Sequence, residues 1–595
     1  MIFPVDITVI ALYFAVSFAI GIYYAKRAGA STEEFFLSGR KLPWWIAGTA
    51  MVATTFAADT PLAVTELVAR NGIAGNWLWW NMVAGSVLTV FFFAKLWRRA
   101  GIMTDVEFIE IRYSGRPAAF LRGFKAVYLG VFMNCIIMGW VNVALAEILS
   151  IIFGVRGDYI VVAVMLCMLV VGVYSAVSGQ WGVAMTDVFQ FVIAMTGCIV
   201  LAVVVLKQPQ VGGIAGLKRA LPDDVFSFFP AVGSGGRYAA HSVMALSFGA
   251  FVAHIFVQWW ASWYPGAEPG GGGYIAQKMM SAKDERHSLL ATLWFSIAHY
   301  ALRPWPWILV GLATLVLYPD LDAADKKAGY VMAMRDFLPP GLLGLVSAAF
   351  LAAYMSTIST HLNWGSSYLI NDLYRRFIKK DETERHYVLA SRIATLLLVA
   401  LSSLLVMVIN SISGAWAFII ECGAGLGLVL IMRWYWWRIN AWSEIVAMIA
   451  PFAGVAIARL VFHLQFPESL FAIVILTTFA WLAATFLTPP TDRRTLEDFY
   501  ARVRPGGRGW KSFCESMGSG AGNEQFLSQL VNWAAGVMLI YTSLFAIGRL
   551  LLGDYIEGCV LASSAAVIFA VINIRLRKQD AALAHYTERS TVGNE

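Results

Sequence analysis

The sequence predicts an all-α polytopic membrane protein with about fifteen transmembrane helices, the length of each set by the bilayer. Of its 595 residues, 59% are hydrophobic and only 14% are charged, and the mean hydropathy is +0.67. Apolar runs long enough to cross a ~30 Å hydrocarbon core recur along the whole chain. Lys and Arg gather in alternate loops between these runs, which is typical of a multi-pass protein.

The predicted spans follow one another with short connections. They are 5–25, 43–69, 75–98, 118–153, 158–177, 183–206, 241–264, 289–317, 340–372, 388–410, 413–435, 442–463, 470–488, 530–552 and 556–575. The first apolar run continues directly into Lys26 and Arg27, so it indicates a true span and not a cleavable signal. The six cysteines show no paired or metal-like spacing, and the five inside spans are expected to pack as small apolar residues.

The positive charge predicts an orientation. With the N-terminus outside, most of the 44 Lys and Arg residues fall in cytoplasmic loops, including those at 26–27, 98–99, 375–380 and 493–511. The opposite orientation would reverse this bias. We therefore expect a plasma-membrane protein, in a bacterium an inner-membrane one, with an external N-terminus and a cytoplasmic C-terminus. The net charge of +7 then follows from topology and does not indicate nucleic acid.

The spans divide the chain into seven regions. They are a leading helix and cytoplasmic loop (1–42), a first group of five spans (43–206), an external loop (207–240), a second group of five (241–435), peripheral helices (436–488), a basic cytoplasmic loop (489–528), and two C-terminal helices with a short tail (529–595). No soluble region is large enough for separate chemistry, and no nucleotide motif or His/Cys metal cluster occurs. The sequence predicts that the protein is not an enzyme and acts within the membrane.

The second predicted span is interrupted by Asp59, Thr60 and Pro61. Pro61 is best tolerated at the first position of a new half-helix, with Thr60 as its N-cap and Asp59 near the positive end of the helix dipole. The first half-helix would then end near Phe56. Its last carbonyls, including those of Ala53 and Phe56, would need a partner in the bilayer, and a bound cation is one such partner.

A second interruption follows span 241–264. Residues 265–273 form the most glycine-dense stretch of the chain. Each interrupted span opens a group of five, and because five is odd the two groups run in opposite directions. Broken helices at matching positions of inverted halves indicate the binding site of a secondary transporter. A functionally neutral proline kink is the alternative for either break taken alone.

A pair of adjacent hydroxyls lies inside span 340–372. On a helix, the carbonyl of Ala353 lies beside the side chains of Ser356 and Thr357. These three oxygens carry no charge and could form part of the coordination shell of a small hard cation. The alternative is that both hydroxyls bond back to the preceding turn, as they often do in membrane helices.

Several segments, in this order, resemble the sodium:solute symporters, the family that includes proline and sodium–glucose cotransporters. They are 35–45, 104–113, 186–190, 352–359, 371–374 and 391–392, within roughly 5–435. The resemblance implies a leucine-transporter-like (LeuT-like) fold of two inverted five-helix repeats, with sodium as the coupling ion. It implies sodium ligands at Ala53, Phe56, Ala353, Ser356 and Thr357. It also implies that Asp187 lies on the sodium route to the cytoplasm, although a solvated carboxylate at the interface is the alternative for that residue.

Candidate solute contacts cluster around the two breaks, where aromatic walls with a few polar groups would grip a small organic molecule. They are Asp59, Thr60, Trp77, Trp80, Asn81, Gln258, Trp259, Trp260, Trp263 and Glu421. For any one tryptophan, an interfacial belt or simple packing is the alternative. Other ionisable residues within spans are also candidates, because a charge at mid-membrane is costly. These are Glu147, His254, His299, Arg303 and His361.

These observations together predict sodium-driven uptake of a small organic solute (a sugar, an amino acid or a carboxylate) by alternating access. Two alternatives remain: a proton-coupled symporter that uses Asp59 or Asp187, and a membrane solute sensor built on a transporter fold. The expected partners are the solute and the lipid bilayer, with neither nucleic acid nor an obligate protein partner.

Overall fold

The computed structural model describes residues 2–157, 159–232, 245–322, 325–409, 416, 419–420, 422–516 and 523–592. Over these ranges the protein is an all-α polytopic membrane protein, as predicted. Eleven of the described helices are long and apolar enough to cross a membrane: Pro4–Ala28, Ile73–Ala100, Gly115–Phe153, Tyr159–Leu206, Glu285–Leu317, Leu342–Ile378, Glu384–Leu404, Ala441–Val461, Glu468–Leu487, Phe526–Leu551 and Tyr555–Gln579.

The other predicted spans are shorter or merged. Span 43–69 consists of the helices Trp44–Thr55 and Asp59–Asn71, which we call the first broken helix. Span 241–264 and the glycine-rich stretch become Phe248–Ala261, a connecting segment and Gly273–Ser281, which we call the second broken helix. Spans 158–177 and 183–206 lie in Tyr159–Leu206, on either side of a kink at Gly179, and span 413–435 is described in part as Leu426–Tyr435. The total of fifteen spans stays a prediction.

Short elements lie in the connections. The helices among them are Thr32–Leu37, Phe108–Arg112, Gly213–Ala220, Ala328–Phe337, Arg493–Val503 and Lys511–Ser516. Two short strands, Ala231–Val232 and Ala245–Leu246, pair in parallel.

The first broken helix parts where the sequence predicted. Its upstream half ends at Thr55 with Phe56 as the C-cap. Its downstream half begins at Asp59 with Ala58 as the N-cap, so the prediction of Thr60 as N-cap is wrong. Pro61 is therefore the third residue of this helix and lies within its first turn. It is tolerated there because the first N–H groups of a helix have no intrahelical partner to lose.

The predicted hydroxyl pair lies on Leu342–Ser367, which we call the hydroxyl helix and which is buried along nearly its whole length. Asp6 of the leading helix anchors its start, because Oδ1 accepts the N–H groups of Gly341 at 2.6 Å and Gly344 at 2.7 Å. A carboxylate at a helix N-terminus satisfies these donors and opposes the helix dipole. This contact fixes the start of the hydroxyl helix against the leading helix.

Candidate functional site

The two broken helices meet at their breaks. A Cβ added to Gly266, in the connecting segment of the second broken helix, would lie 3.1 Å from Cγ2 of Thr55 and would overlap Oη of Tyr274. Gly266 also has φ +83°, a conformation that glycine adopts without strain. The interrupted backbone of both helices therefore shares one region of the protein interior, as the pairing of breaks predicted.

The hydroxyl helix contacts the end of the upstream half-helix. Oγ1 of Thr357 lies 2.8 Å from the carbonyl oxygen of Thr54 and 3.1 Å from that of Ala353. At the same helix end, the carbonyl of Ala53 accepts the N–H of Phe56 at 3.1 Å. The back-bonding alternative thus describes only part of the role of Thr357, because its oxygen also faces the broken helix.

Ser356 points to a different partner. Its hydroxyl donates to Oδ1 of Asp187 at 2.6 Å, and Oδ2 of the same carboxylate lies 2.8 Å from Nζ of Lys278. Asp187 and Lys278 are both fully buried. The interfacial alternative for Asp187 is therefore wrong. Tyr159–Leu206 is kinked at Gly179, where φ is 56° and ψ is −171°, and Asp187 lies about two turns beyond this kink.

Lys278 is a site residue that the sequence reasoning missed. Its Nζ also lies 2.9 Å from the carbonyl oxygen of Ala50, 2.9 Å from Oγ1 of Thr54 and 3.4 Å from Oγ1 of Thr360. Charge counting treats a lysine near a span end as a cytoplasmic loop cation. The feature that indicated a buried lysine instead is the position of Lys278 directly after the second break, in the short helix Gly273–Ser281.

Arg303 closes the other side of the upstream half-helix. Its Nη1 donates to Oγ1 of Thr55 at 3.1 Å and to the carbonyl of Val52 at 3.4 Å, while Nη2 lies 3.2 Å from Nε2 of His299. Its guanidinium carbon lies 5.4 Å from the ring centroid of Trp307. Arg303 is only 2% exposed, and among the described residues it forms no ion pair.

Asp59 lies in the electrostatic field of this arginine. The carboxyl is 2% exposed, and its Oδ1 has no hydrogen-bond partner in the described part of the chain. Trp79 stacks on Tyr300 and touches the ring edge of His299, with centroids 5.7 Å apart in both pairs. A guanidinium, an unpartnered carboxyl oxygen and an aromatic wall therefore surround the first break, which is the composition of a site for a small polar organic molecule.

Trp79 was not among the predicted contacts, and the three predicted on this helix, Trp77, Trp80 and Asn81, turn away from this region. Trp77 donates from Nε1 to the carbonyl of Phe228 at 2.7 Å in the 207–240 connection, and Trp80 packs against Phe545 with ring centroids 6.2 Å apart. Asn81 bonds back to Trp77 at 2.9 Å. A 3₁₀ turn, Ile73–Asn76, precedes these residues. Among the tryptophans of this helix, the half-buried Trp79 contacts His299 and Tyr300.

The predicted contacts before the second break mostly satisfy themselves within their own helix. Gln258 pairs with His254 at 2.7 Å, and the indoles of Trp259 and Trp260 donate to carbonyls four residues earlier. The N–H of Trp263 donates to the carbonyl of Gly423 at 3.1 Å. Thr60 is half-buried, and Glu421 lies outside the described residues.

Two carboxylates that the sequence reasoning did not single out hold the second break. Oδ2 of Asp105 accepts the N–H of Gly273 at 3.0 Å, at the start of Gly273–Ser281, and Oε2 of Glu268 accepts the N–H of Gly266 at 3.1 Å. Both residues are buried. The N–H groups at the second break therefore already have carboxylate acceptors within the protein.

Inverted broken helices that share a buried polar centre define a secondary transporter of the LeuT-like type. A solved structure of a Na+-coupled sialic acid symporter, in its substrate-bound outward-open state, has this fold. It superposes with a TM-score of 0.66 at 20% sequence identity, over 82% of this chain and 98% of that one.

The family model described as the sodium:solute symporter family matches residues 35–451, which is more than half of the chain. The protein belongs to this family. It is 24% identical over 479 residues to a sodium/glucose cotransporter of Vibrio parahaemolyticus, covering 76% of this chain and 84% of that protein. It is 24% identical over 496 residues to a sodium/mannose cotransporter of Bos taurus, covering 78% and 80%. It is a multi-pass membrane protein of sodium-driven solute symport.

Proposed function

We propose that this protein takes up a small organic solute by alternating access, driven by sodium that binds where the hydroxyl helix meets the first broken helix. The observation that carries the proposal is the approach of Thr357 Oγ1 to the carbonyl of Thr54, at 2.8 Å. This contact joins the hydroxyl pair to the free carbonyl end of a broken helix, which is where a membrane protein holds a desolvated cation.

The proposed sodium ligands are the carbonyl oxygens of Ala53, Phe56 and Ala353 with the hydroxyl oxygens of Ser356 and Thr357. A hydroxyl that donates its proton elsewhere keeps lone pairs for an ion. Ser356 donates to Asp187, and Thr357 has carbonyl partners, so both oxygens are oriented as acceptors. The residues present therefore fit a small monovalent cation.

Sodium at this position would favour the conformation in which Trp44–Thr55 and the hydroxyl helix are held together. Its loss towards the cytoplasm, past Asp187, would let the two helices part. Coupling follows when sodium and solute prefer the same conformation. One sodium ion crossing ~100 mV supplies ~2.3 kcal/mol and a tenfold gradient adds ~1.4 kcal/mol, which together support roughly 500-fold accumulation.

The proposed solute site is the region around Asp59, Trp79 and Arg303. A buried guanidinium without an ion pair is ready to take a carboxylate in a planar, two-point contact. Among a sugar, an amino acid and a carboxylate, this favours the two classes that carry a carboxylate group. The unpartnered oxygen of Asp59 supports a proton-coupled carrier as the second candidate, which would accumulate solute in response to pH and ignore sodium.

The remaining parts of the proposal concern placement. The bias of Lys and Arg supports an external N-terminus and a cytoplasmic C-terminus. The proposed location is the plasma membrane, in a bacterium the inner membrane. The seven regions of the chain and their boundaries belong to the same proposal, with 43–206 and 241–435 as the inverted repeats.

The test uses the full chain, purified and reconstituted in proteoliposomes. The double variant Ser356→Ala with Thr357→Ala should lose sodium-dependent thermal stabilisation and sodium-dependent uptake while the protein stays folded. The matched control is Ser366→Ala with Ser367→Ala, an adjacent buried pair on the same helix whose hydroxyls bond only to their own turn. Sodium affinity like that of the wild type in the first double variant would refute the site. A screen of sugars, amino acids and carboxylates, each with and without sodium, identifies the solute for the uptake assay.

A further inference from the structure

The ammonium of Lys278 lies inside a set of oxygens that would otherwise suit a metal cation. Its neighbours are Oδ2 of Asp187 at 2.8 Å, the carbonyl of Ala50 at 2.9 Å, Oγ1 of Thr54 at 2.9 Å and Oγ1 of Thr360 at 3.4 Å. One carboxylate, one carbonyl and two hydroxyls are typical ligands of a hard monovalent cation. All of these side chains are buried, so no solvent competes with the lysine for them.

This oxygen set shares members with the proposed sodium site. Thr54 contacts Lys278 through its hydroxyl and Thr357 through its carbonyl, at 2.9 Å and 2.8 Å. Asp187 likewise divides its two oxygens between Lys278 and Ser356. The ammonium therefore lies next to the proposed sodium site and shares Thr54 and Asp187 with it. The Asp187–Lys278 ion pair is thus part of the site.

We propose that Lys278 permanently occupies a second cation position, so that the protein binds a single sodium ion in each transport cycle. The proposal rests on the sodium site described under the proposed function and adds its stoichiometry. With Lys278 present, a second sodium ion would meet both a filled position and a like charge. A neutral side chain at 278 would leave Asp187 as a buried carboxylate without a cation, a costly state that a second sodium ion relieves.

The experiment counts sodium ions with the full-length protein in detergent. Equilibrium binding of radioactive sodium gives ions per polypeptide, and the sodium dependence of thermal stabilisation gives the Hill coefficient. The wild type should bind one ion with a Hill coefficient of about 1, and Lys278→Gln should bind a second ion with a Hill coefficient clearly above 1. Lys278→Arg keeps the charge and should retain the stoichiometry of the wild type. In Lys278→Gln with Asp187→Asn the anion is also gone, so the second ion should be lost.

The possible outcomes separate the two proposals. Two ions on the wild type would overturn this inference, whether or not Lys278→Gln folds. A single ion on both the wild type and a folded Lys278→Gln would overturn it as well. No sodium binding to the wild type would overturn the proposed function and this inference with it. One ion on the wild type and on the double variant, with a second on Lys278→Gln alone, would support it.

Discussion

The hydroxyl of Ser356 donates a 2.6 Å hydrogen bond to Asp187, and this contact ties the hydroxyl helix to Tyr159–Leu206. The carboxylate is shared, because its other oxygen is held by Lys278 at 2.8 Å. Three helices from both halves of the fold therefore converge on one buried carboxylate. Any movement that separates them must break charge-assisted hydrogen bonds in a medium of low dielectric constant, where such bonds are strong.

The Asp187–Lys278 ion pair should show strong coupling in stability. Asp187→Asn leaves a buried ammonium without its counter-ion, and we expect the free energy of unfolding to fall by about 3–5 kcal/mol. Lys278→Gln in the absence of sodium should cost a similar amount. The double variant Asp187→Asn with Lys278→Gln should cost clearly less than the sum. Thermal unfolding in sodium-free detergent checks this, and strictly additive losses would contradict it.

Arg303 should decide recognition of the solute. The solute that stabilises the wild type in sodium should bind Arg303→Gln with an affinity at least about tenfold lower. The reason is the loss of a charge-assisted contact of more than about 1.4 kcal/mol. Sodium binding alone should persist. Arg493→Gln is the control, since Arg493 is exposed and, among the described residues, pairs only with Glu497 on its own helix. Unchanged solute affinity in Arg303→Gln would remove Arg303 from the solute site.

Gly266→Ala should prevent the two breaks from meeting normally. The new Cβ would overlap Oη of Tyr274 and press on Thr55, and the residue would also have to keep a positive φ. We expect a loss of thermal stability and of transport. Gly213→Ala is the matched control, because Gly213 has φ +69° but nothing within 4 Å of an added Cβ. Equal effects of both substitutions would show that backbone strain alone causes the loss, and would contradict a role for the close approach of Gly266 to Thr55 and Tyr274.

Asp6 should contribute to stability through the start of the hydroxyl helix. Asp6→Ala removes the acceptor of three N–H groups, those of Phe3, Gly341 and Gly344, and should lower the free energy of unfolding by about 1–2 kcal/mol. Asp6→Asn keeps an acceptor and should lower it less. Asp320→Ala, on an exposed turn, serves as the control. If Asp6→Ala melted like the wild type, the cap would have no energetic role.

Glu110 should make stability depend on pH. Burial alone would raise the pKa of Glu110, but hydrogen bonds from Arg376 and Arg122 outweigh it and leave the pKa below its ordinary value. A lowered pKa means that the stabilisation is complete above the ordinary pKa and disappears as the pH falls through the pKa of the folded state. Glu110→Gln should therefore melt earlier than the wild type at pH 7, and the difference should shrink on acidification. A difference that stayed constant with pH would contradict the assignment.

The backbone of the site could be predicted from local chemistry. Asp59-Thr60-Pro61 and the glycines of 265–273 mark the two breaks, since proline and glycine act on the turn in which they occur. The adjacency of Ser356 and Thr357 in an apolar run is also a local property. The prediction of Thr60 as the N-cap was wrong by less than a turn, because a proline is tolerated at more than one position in the first turn of a helix.

By itself, the sequence determined that this is a helical membrane protein with two broken helices and a pair of membrane-buried hydroxyls. Hydropathy and the backbone preferences of proline and glycine are properties of individual residues, so they can be recognised in the sequence without the fold. Only the tertiary structure decided that Asp187 is buried against Lys278, that Arg303 closes the first break and that Trp79 faces it in place of Trp77 and Trp80. Those contacts depend on helix register and on packing between segments far apart in the chain, which no local pattern encodes.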